Sequence, residues 1–360
     1  MKQIALLLPF ALGWSLACAQ PAFVDLATQA GIAATGQNYG IAIADYDGDG
    51  YDDLYVTRRD GPNLLYHNLG NLQFEEVAGV AGVANAGVSS CAVWGDFDND
   101  GWPDLLVTDR DADNVLYHNN GDGTFTDITA QAGVAEGSKV RAALTADVNG
   151  DGWLDIYLAR LGLENKLYLN NGDGTFTDYT AASGALDDQI SMGAVFFDYD
   201  NDGDPDLYLT HDAHQPYILY QNDGTGHFTD VSAAAGVNYA GQGMGVCTGD
   251  INHDGWLDIY ITNLSFNTLY LNNGDGTFTD ISDAAGVTDP GMGWGCTFLD
   301  CDNDTWPDIY MANDSYFSPL PNVLYRNRGD LTFENISEGT PLASMFAGYA
   351  VAVADFDHNG

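Results

Sequence analysis

A nine-residue acidic pattern, D-x-[DN]-x-D-[GT]-x-x-D, occurs six times at nearly constant spacing, and this periodicity constrains the fold more than any other property of the chain. The copies span residues 45–53, 96–104, 147–155, 198–206, 250–258 and 300–308, and a seventh begins at Asp355. Successive first aspartates lie 50 to 52 residues apart, with a last interval of 55. A repeat near this length suggests a propeller blade.

Carboxylates crowded into one turn repel each other unless a hard cation neutralises them. Ca2+ accepts about six to eight oxygens in tolerant geometry, so the loops are expected to be calcium cages, about one ion per blade. Positions 1, 3, 5 and 9 offer side-chain oxygens and position 7 offers its carbonyl. The expected ligands are Asp45, Asp47, Asp49, Tyr51 and Asp53 in loop one; Asp96, Asp98, Asp100, Trp102 and Asp104 in loop two; and Asp147, Asn149, Asp151, Trp153 and Asp155 in loop three. They continue with Asp198, Asp200, Asp202, Asp204 and Asp206; Asp250, Asn252, Asp254, Trp256 and Asp258; Asp300, Asp302, Asp304, Trp306 and Asp308; and, in the partial seventh copy, Asp355, Asp357 and Asn359. Glycine at position 6 permits the sharp bend.

An EF-hand opens similarly but requires a bidentate Glu at position 12 and helices on both sides. Here position 12 is Val56, Val107, Leu158, Leu209, Ile261 or Met311, inside short apolar runs that read as buried strands. Solvated Asp-Gly turns are the plainer alternative, and six copies in register argue against it.

Four strand-like segments recur in each unit: a Gly/Ala-rich run before the loop, a run after it, a third ending in Leu-Tyr, and a fourth at Thr-Phe-Thr-Asp or its equivalent. The fold expected is an all-β propeller of four-stranded antiparallel blades. The strand-three Tyr (Tyr66, Tyr117, Tyr168, Tyr220, Tyr270, Tyr325) precedes the strand-four Phe by eight residues in every copy, so length variation falls between strands two and three. In an up-down meander the acidic loops and Gly-Asp-Gly turns then share one face. The variable connections share the other, where loops on a rigid scaffold bind partners. Residues 23–31 copy 125–133, so an N-terminal strand at 23–28 is expected to close the last blade of a seven-bladed ring left incomplete at residue 360.

The formal charge of −42, from 52 acidic and 10 basic residues, excludes nucleic acid as a partner. Residues 1–19 read as a signal peptide, with an apolar stretch from Ile4 to Leu16, leaving residues 20–360 as the propeller and predicting a secreted, periplasmic or cell-surface protein. A lipoprotein reading through Cys18 is weaker, and no later segment is long enough to span a bilayer. Cys296 and Cys301 are too far apart along an extended chain for a disulfide. Buried thiols are expected, with a Cys247–Cys296 bridge left open.

The loops, the Gly-Asp-Gly-Thr-Phe-Thr-Asp turns and the phrase Asn-x-Leu-Tyr-x-Asn resemble FG-GAP/VCBS repeats, the blades seen also in integrin α-chains, and bacterial members of the cartilage acidic protein (ASPIC/UnbV-associated) group. The resemblance covers residues 23–360. It implies an extracellular adhesion or recognition module that binds a protein or an acidic glycan without catalysis. The alternative it implies is a carbohydrate-active enzyme of polysaccharide lyase or sugar dehydratase type on the same scaffold. Departures are Asn149 and Asn252 at position 3, predicting weaker binding, and Thr305 at position 6, predicting strain.

No catalytic motif of the G-x-S-x-G, H-E-x-x-H or Cys/His zinc kind appears. His67 and His118, beside the strand-three Tyr, read as structural or incidental. Basic residues Arg58, Arg59, Arg110 and Arg160 fall in strand 2–3 connections, with Lys139 and Arg141 assigned to a 4–1 connection. His211, His214, Tyr217, Phe266, Tyr316 and Phe317 lie on the same face, suggesting a site for an anionic or carbohydrate ligand. Pairing of these arginines with nearby Asp60, Asp109 and Asp111 is an equal alternative. Arg328-Gly329-Asp330 occupies the turn where other blades carry Asn-Gly-Asp, so turn chemistry explains it.

Overall fold

The computed structural model describes residues 22–136, 138–345 and 348–358. The expected signal peptide and Asn359 lie outside them. Six antiparallel sheets form, each of four strands in sequence order. In blade one the strands are Asn38–Ala44, Asp53–Arg58, Leu64–Asn68 and Phe74–Glu76. The other five repeat the same strand lengths.

The middle strands are apolar without alternation because both faces of each blade are covered. Asp155–Arg160 is buried at all six residues. Tyr157 packs with Leu207 and Leu209 of the following blade, whereas Ile156 and Leu158 pack with Leu106 and Leu116 of the preceding one. At about 25 cal/mol per Å2 of apolar surface, this blade-to-blade burial is the main favourable term for the ring. Neighbouring first strands approach so closely that a Cβ on Gly193 would lie 2.9 Å from the Met244 carbonyl oxygen.

The Asn-x-Leu-Tyr-x-Asn phrase has a structural explanation. The first Asn bonds the second-strand Tyr, as Asn63 does to the Tyr55 hydroxyl at 3.0 Å and Asn165 to Tyr157 at 3.1 Å. The second Asn ties two blades. Asn119 Nδ2 donates to the Tyr46 carbonyl of the preceding loop at 2.8 Å and to Pro103 of its own loop at 3.0 Å.

Three features differ from the sequence expectation. Six blades form, and residues 348–358, where the seventh unit starts, carry no strand. Residues 22–26 are not a strand either, and Ala27–Ala30 is a helical turn ended by Gly31 at φ 85°. A strand exists only against a hydrogen-bonded neighbour, and no described residue supplies one there. A similar four-residue helical turn follows the fourth strand of blades one to five (Ala78–Ala81, Thr129–Ala132, Thr180–Ser183, Ser232–Ala235, Ser282–Ala285). The four cysteines among the described residues are free thiols, as the sequence reading favoured, though half-buried, and the Cys247–Cys296 bridge it left open does not form.

Candidate metal centres

The six complete acidic loops share one backbone course. In loop one the Asp45 carboxylate accepts the N–H groups of Gly48, Asp49 and Gly50 at 2.8, 3.1 and 2.9 Å, and Asp49 accepts that of Tyr51 at 2.9 Å. Asp53 is fully buried at the base, where it accepts the Tyr46 N–H at 3.2 Å and the Asn68 N–H from strand three at 2.7 Å. The bonds from position 6 to the first Asp and from strand three to the last recur in loops two to six. Position 6 is left-handed throughout, at φ 88° to 96° for Gly50, Gly101, Gly152, Gly203 and Gly255, and Thr305 is forced to φ 78°.

Oxygens of Asp45, Asp47 and Asp49 converge within 4.8 Å, as do those of Asp96, Asp98 and Asp100 and of Asp198, Asp200 and Asp206. Burial drives the position-9 carboxyls upward, Asp206 and Asp258 to about 7 and Asp155 to about 6. Asp53, Asp104 and Asp308 shift the same way for the same reason. Position-3 carboxyls Asp47, Asp98, Asp200 and Asp302 are raised by burial, with the neighbouring loop carboxylates adding to it. Asp200 Oδ1 is buried without a hydrogen-bond partner. An all-oxygen, carboxylate-rich donor set with such an orphaned atom fits a hard divalent cation.

Sequence reasoning missed one component of these centres. His67 Nδ1 lies 3.2 Å from both Asp47 and Asp53, and His118 Nδ1 3.3 Å from Asp98 and 3.2 Å from Asp104. The same strand-three position holds Gln221, which donates to Asp200 at 2.7 Å, and Arg326, 3.9 Å from Asp302. In loops three and five it holds Leu169 and Leu271, and there position 3 is an amide, Asn149 or Asn252, which donates to Asp151 or Asp254. Where position 3 is Asp, strand three thus carries His, Gln or Arg at this position, and where position 3 is Asn it carries Leu. That pairing was legible as a co-occurrence between two columns of the repeat.

The residues assigned by sequence to a ligand face separate into two groups. Arg58 bonds the Thr35 carbonyl and Asp60, and Arg160 the Ser138 and Glu164 carbonyls. His211 is buried against Asp187 at 3.0 Å, and Tyr217 is buried with its hydroxyl on Asn263. These four side chains are engaged with the connections around them. His214, Phe266, Tyr316, Phe317 and Arg110 are exposed, and Arg59 is half-buried. Asp330 makes the Asx contact to Thr332 that Asp122 makes to Thr124, so the Arg-Gly-Asp turn has the geometry of its counterparts.

The FG-GAP-like repeat pattern matches residues 45–107, 96–158, 147–209, 198–261, 254–311 and 300–360. The chain is 27% identical over 256 residues to cartilage acidic protein 1 of Homo sapiens, covering 65% of this chain and 39% of that protein. It is 28% identical over 262 residues to the Mus musculus protein, covering 66% and 40%. The chain thus spans about two fifths of the length of these relatives. Among solved structures, one on recognition of non-reducing terminal N-acetylglucosamine by an Agrocybe aegerita lectin superposes with a TM-score of 0.55 at 21% identity, covering 89% of this chain and 84% of that one. The BBS1N chain crystallised with ARL6DN gives 0.55 at 11%, covering 91% and 88%. Both likenesses concern the fold alone.

Proposed function

Because the chain belongs to the FG-GAP-like repeat family, we propose that it is an exported, calcium-stabilised propeller that recognises an extracellular protein or acidic glycan through the face opposite its acidic loops. The observation that carries the calcium reading is the sixfold recurrence of one loop course with a buried, proton-retaining Asp at its base, with carboxylate oxygens converging in loops one, two and four. Bound Ca2+ would neutralise each cluster, and Asp45, Asp47, Asp49, Asp53 and the Tyr51 carbonyl, with their counterparts, would hold it. Titration calorimetry with Ca2+ on the exported protein, together with melting in chelator, tests this. Heat of binding and a lowered melting point in chelator are expected, and neither appearing would sink the reading.

Support for recognition comes from the relatedness to cartilage acidic protein 1 and from exposed Phe266, Tyr316, Phe317 and Arg110 in the variable connections. Export is supported by the apolar leader in the sequence, and N-terminal sequencing of the exported chain should begin at Gln20. The proposal includes a ring of seven positions, the seventh taken by residues 348–358. Asn68 of blade one donates to the Phe356 carbonyl at 3.0 Å, as Asn119 does to Tyr46 in the loop before it.

A further inference from the structure

The second residues of the inner strands lie at the end of each blade away from the acidic loops. Tyr39, Arg141, Met192, Met244 and Trp294, joined by Tyr349, line a cavity of about 120 Å3 there. Tyr39 and Tyr349 stack with centroids 5.0 Å apart, and Trp294 meets Tyr349 edge-on at 5.1 Å. Two guanidiniums enter this aromatic wall. Arg59 sits 3.4 Å from the Tyr39 centroid, and Arg141 lies 5.0 Å from Tyr39 and 5.2 Å from Trp294.

Neither guanidinium has a carboxylate counter-ion among the described residues, where arginine ion pairs involve Arg58, Arg326 and Arg328. The acids nearest them act only at longer range, Asp212 on Arg141 and Asp111 on Arg59, while Asp314 is engaged by the Tyr349 hydroxyl at 3.5 Å. Arg59 Nε and Trp294 Nε1 are buried donors without acceptors. Burial also pushes the Arg141 guanidinium down to about 10. Leaving cations so desolvated and unpaired is costly, and cation–π contacts recover only part of that cost. In a chain of net charge −42, with carboxylates available on every blade, that arrangement is explained by an anion supplied from outside.

We propose that this cavity is a binding site for the carboxylate of a terminal acidic sugar residue. The guanidinium fork matches a planar carboxylate. Trp294 Nε1–H adds a neutral donor, and the Tyr39 and Tyr349 rings offer flat apolar walls to the sugar ring. The cavity volume admits the carboxylate and the ring edge of one residue. This assigns a ligand class and a location to the recognition reading above and rests on it.

The test is calorimetric titration of the calcium-loaded protein with a glucuronate-terminated disaccharide. A neutral disaccharide and a tetra-aspartate peptide serve as the other arms, and the titration is repeated with Arg141→Ala, Arg141→Lys and Arg59→Ala. Selective binding of the uronate is expected, weakened at least tenfold by Arg141→Ala, less by Arg141→Lys, and also by Arg59→Ala. Without sugar, the variants should melt no lower than the parent, since the replaced groups make no ion pair and their buried charge is uncompensated. Uronate binding that Arg141→Ala leaves unchanged would remove the cavity site while leaving the recognition reading intact. Absence of uronate binding, or equal binding of the neutral sugar or the peptide, would overturn the proposal outright.

Discussion

At the scale of single residues, the acidic loops differ from one another in ways the geometry makes testable. Thr305 stands at φ 78° where five other loops place glycine. A β-branched residue in the left-handed region is strained by about 1–2 kcal/mol, part of which glycine would give back through its larger unfolded-state entropy. Thr305→Gly should therefore stabilise the protein by about 1 kcal/mol, read as a raised urea midpoint with unchanged slope. The partner of position 3 is testable by a double-mutant cycle. His67→Leu removes the donor from Asp47, but in an Asp47→Asn background it recreates the Asn149 and Leu169 pairing of loop three. The loss on His67→Leu should be larger by about 0.5–1 kcal/mol in the Asp47 background than in the Asn background. Equal losses would show that His67 is incidental to the loop. The ligand positions themselves were legible in sequence because they lie within nine residues of one another, whereas the His67 contact joins residues fourteen and twenty apart through strand pairing.

At the scale of elements, the blade and its strand order followed from periodicity, but the helical turns after strand four did not. Their signal was present: Asp127 Oδ1 accepts the Thr129 N–H at 3.0 Å, and Gly133 at φ 79° ends the turn. An Asx contact followed four residues later by a left-handed Gly is a stop and start mark that a four-residue helix leaves without any 3.6 periodicity. Arg141 was similarly misplaced into a connection, because nothing local marks where Val140–Ala146 begins. The separation of buried Arg160, His211 and Tyr217 from exposed Phe266 was illegible for another reason. Burial here is decided by the neighbouring blade and not by the residue's own strand. The element most dependent on that neighbour is the Asn119 node, which is buried and serves the Tyr46 and Pro103 carbonyls and the Gly121 N–H together. Asn119→Ala should cost about 1–3 kcal/mol, since it strands one buried and two part-buried backbone groups. The loss is read by urea unfolding, and a change below 1 kcal/mol would show that blades one and two are joined by apolar packing alone.

At the scale of the whole molecule, the raised carboxyls set the direction of the pH dependence. Asp206 and Asp258 retain protons to about 7 and Asp155 to about 6, against an ordinary carboxylate value near 3.8. Between these values the folded protein binds more protons than the unfolded chain, so unfolding free energy falls as pH rises. In chelator, the contribution of these groups is fully present below about pH 4 and is lost as pH passes 6 to 7. Net repulsion at a charge of −42 acts in the same direction and is screened by salt. A bound divalent cation reverses the balance, because it competes with those protons and binds more tightly as they leave. The melting point in chelator should thus be higher at pH 5.5 than at pH 8, and the increment produced by saturating Ca2+ should be larger at pH 8. Each independent site at a hundredfold excess over its dissociation constant adds about 2.7 kcal/mol, so even partial occupancy of six loops should be visible in a melting curve. A calcium increment that is the same at both pH values would show that the buried aspartates at the loop bases do not exchange protons for metal. The ion would then be held by the exposed carboxylates alone.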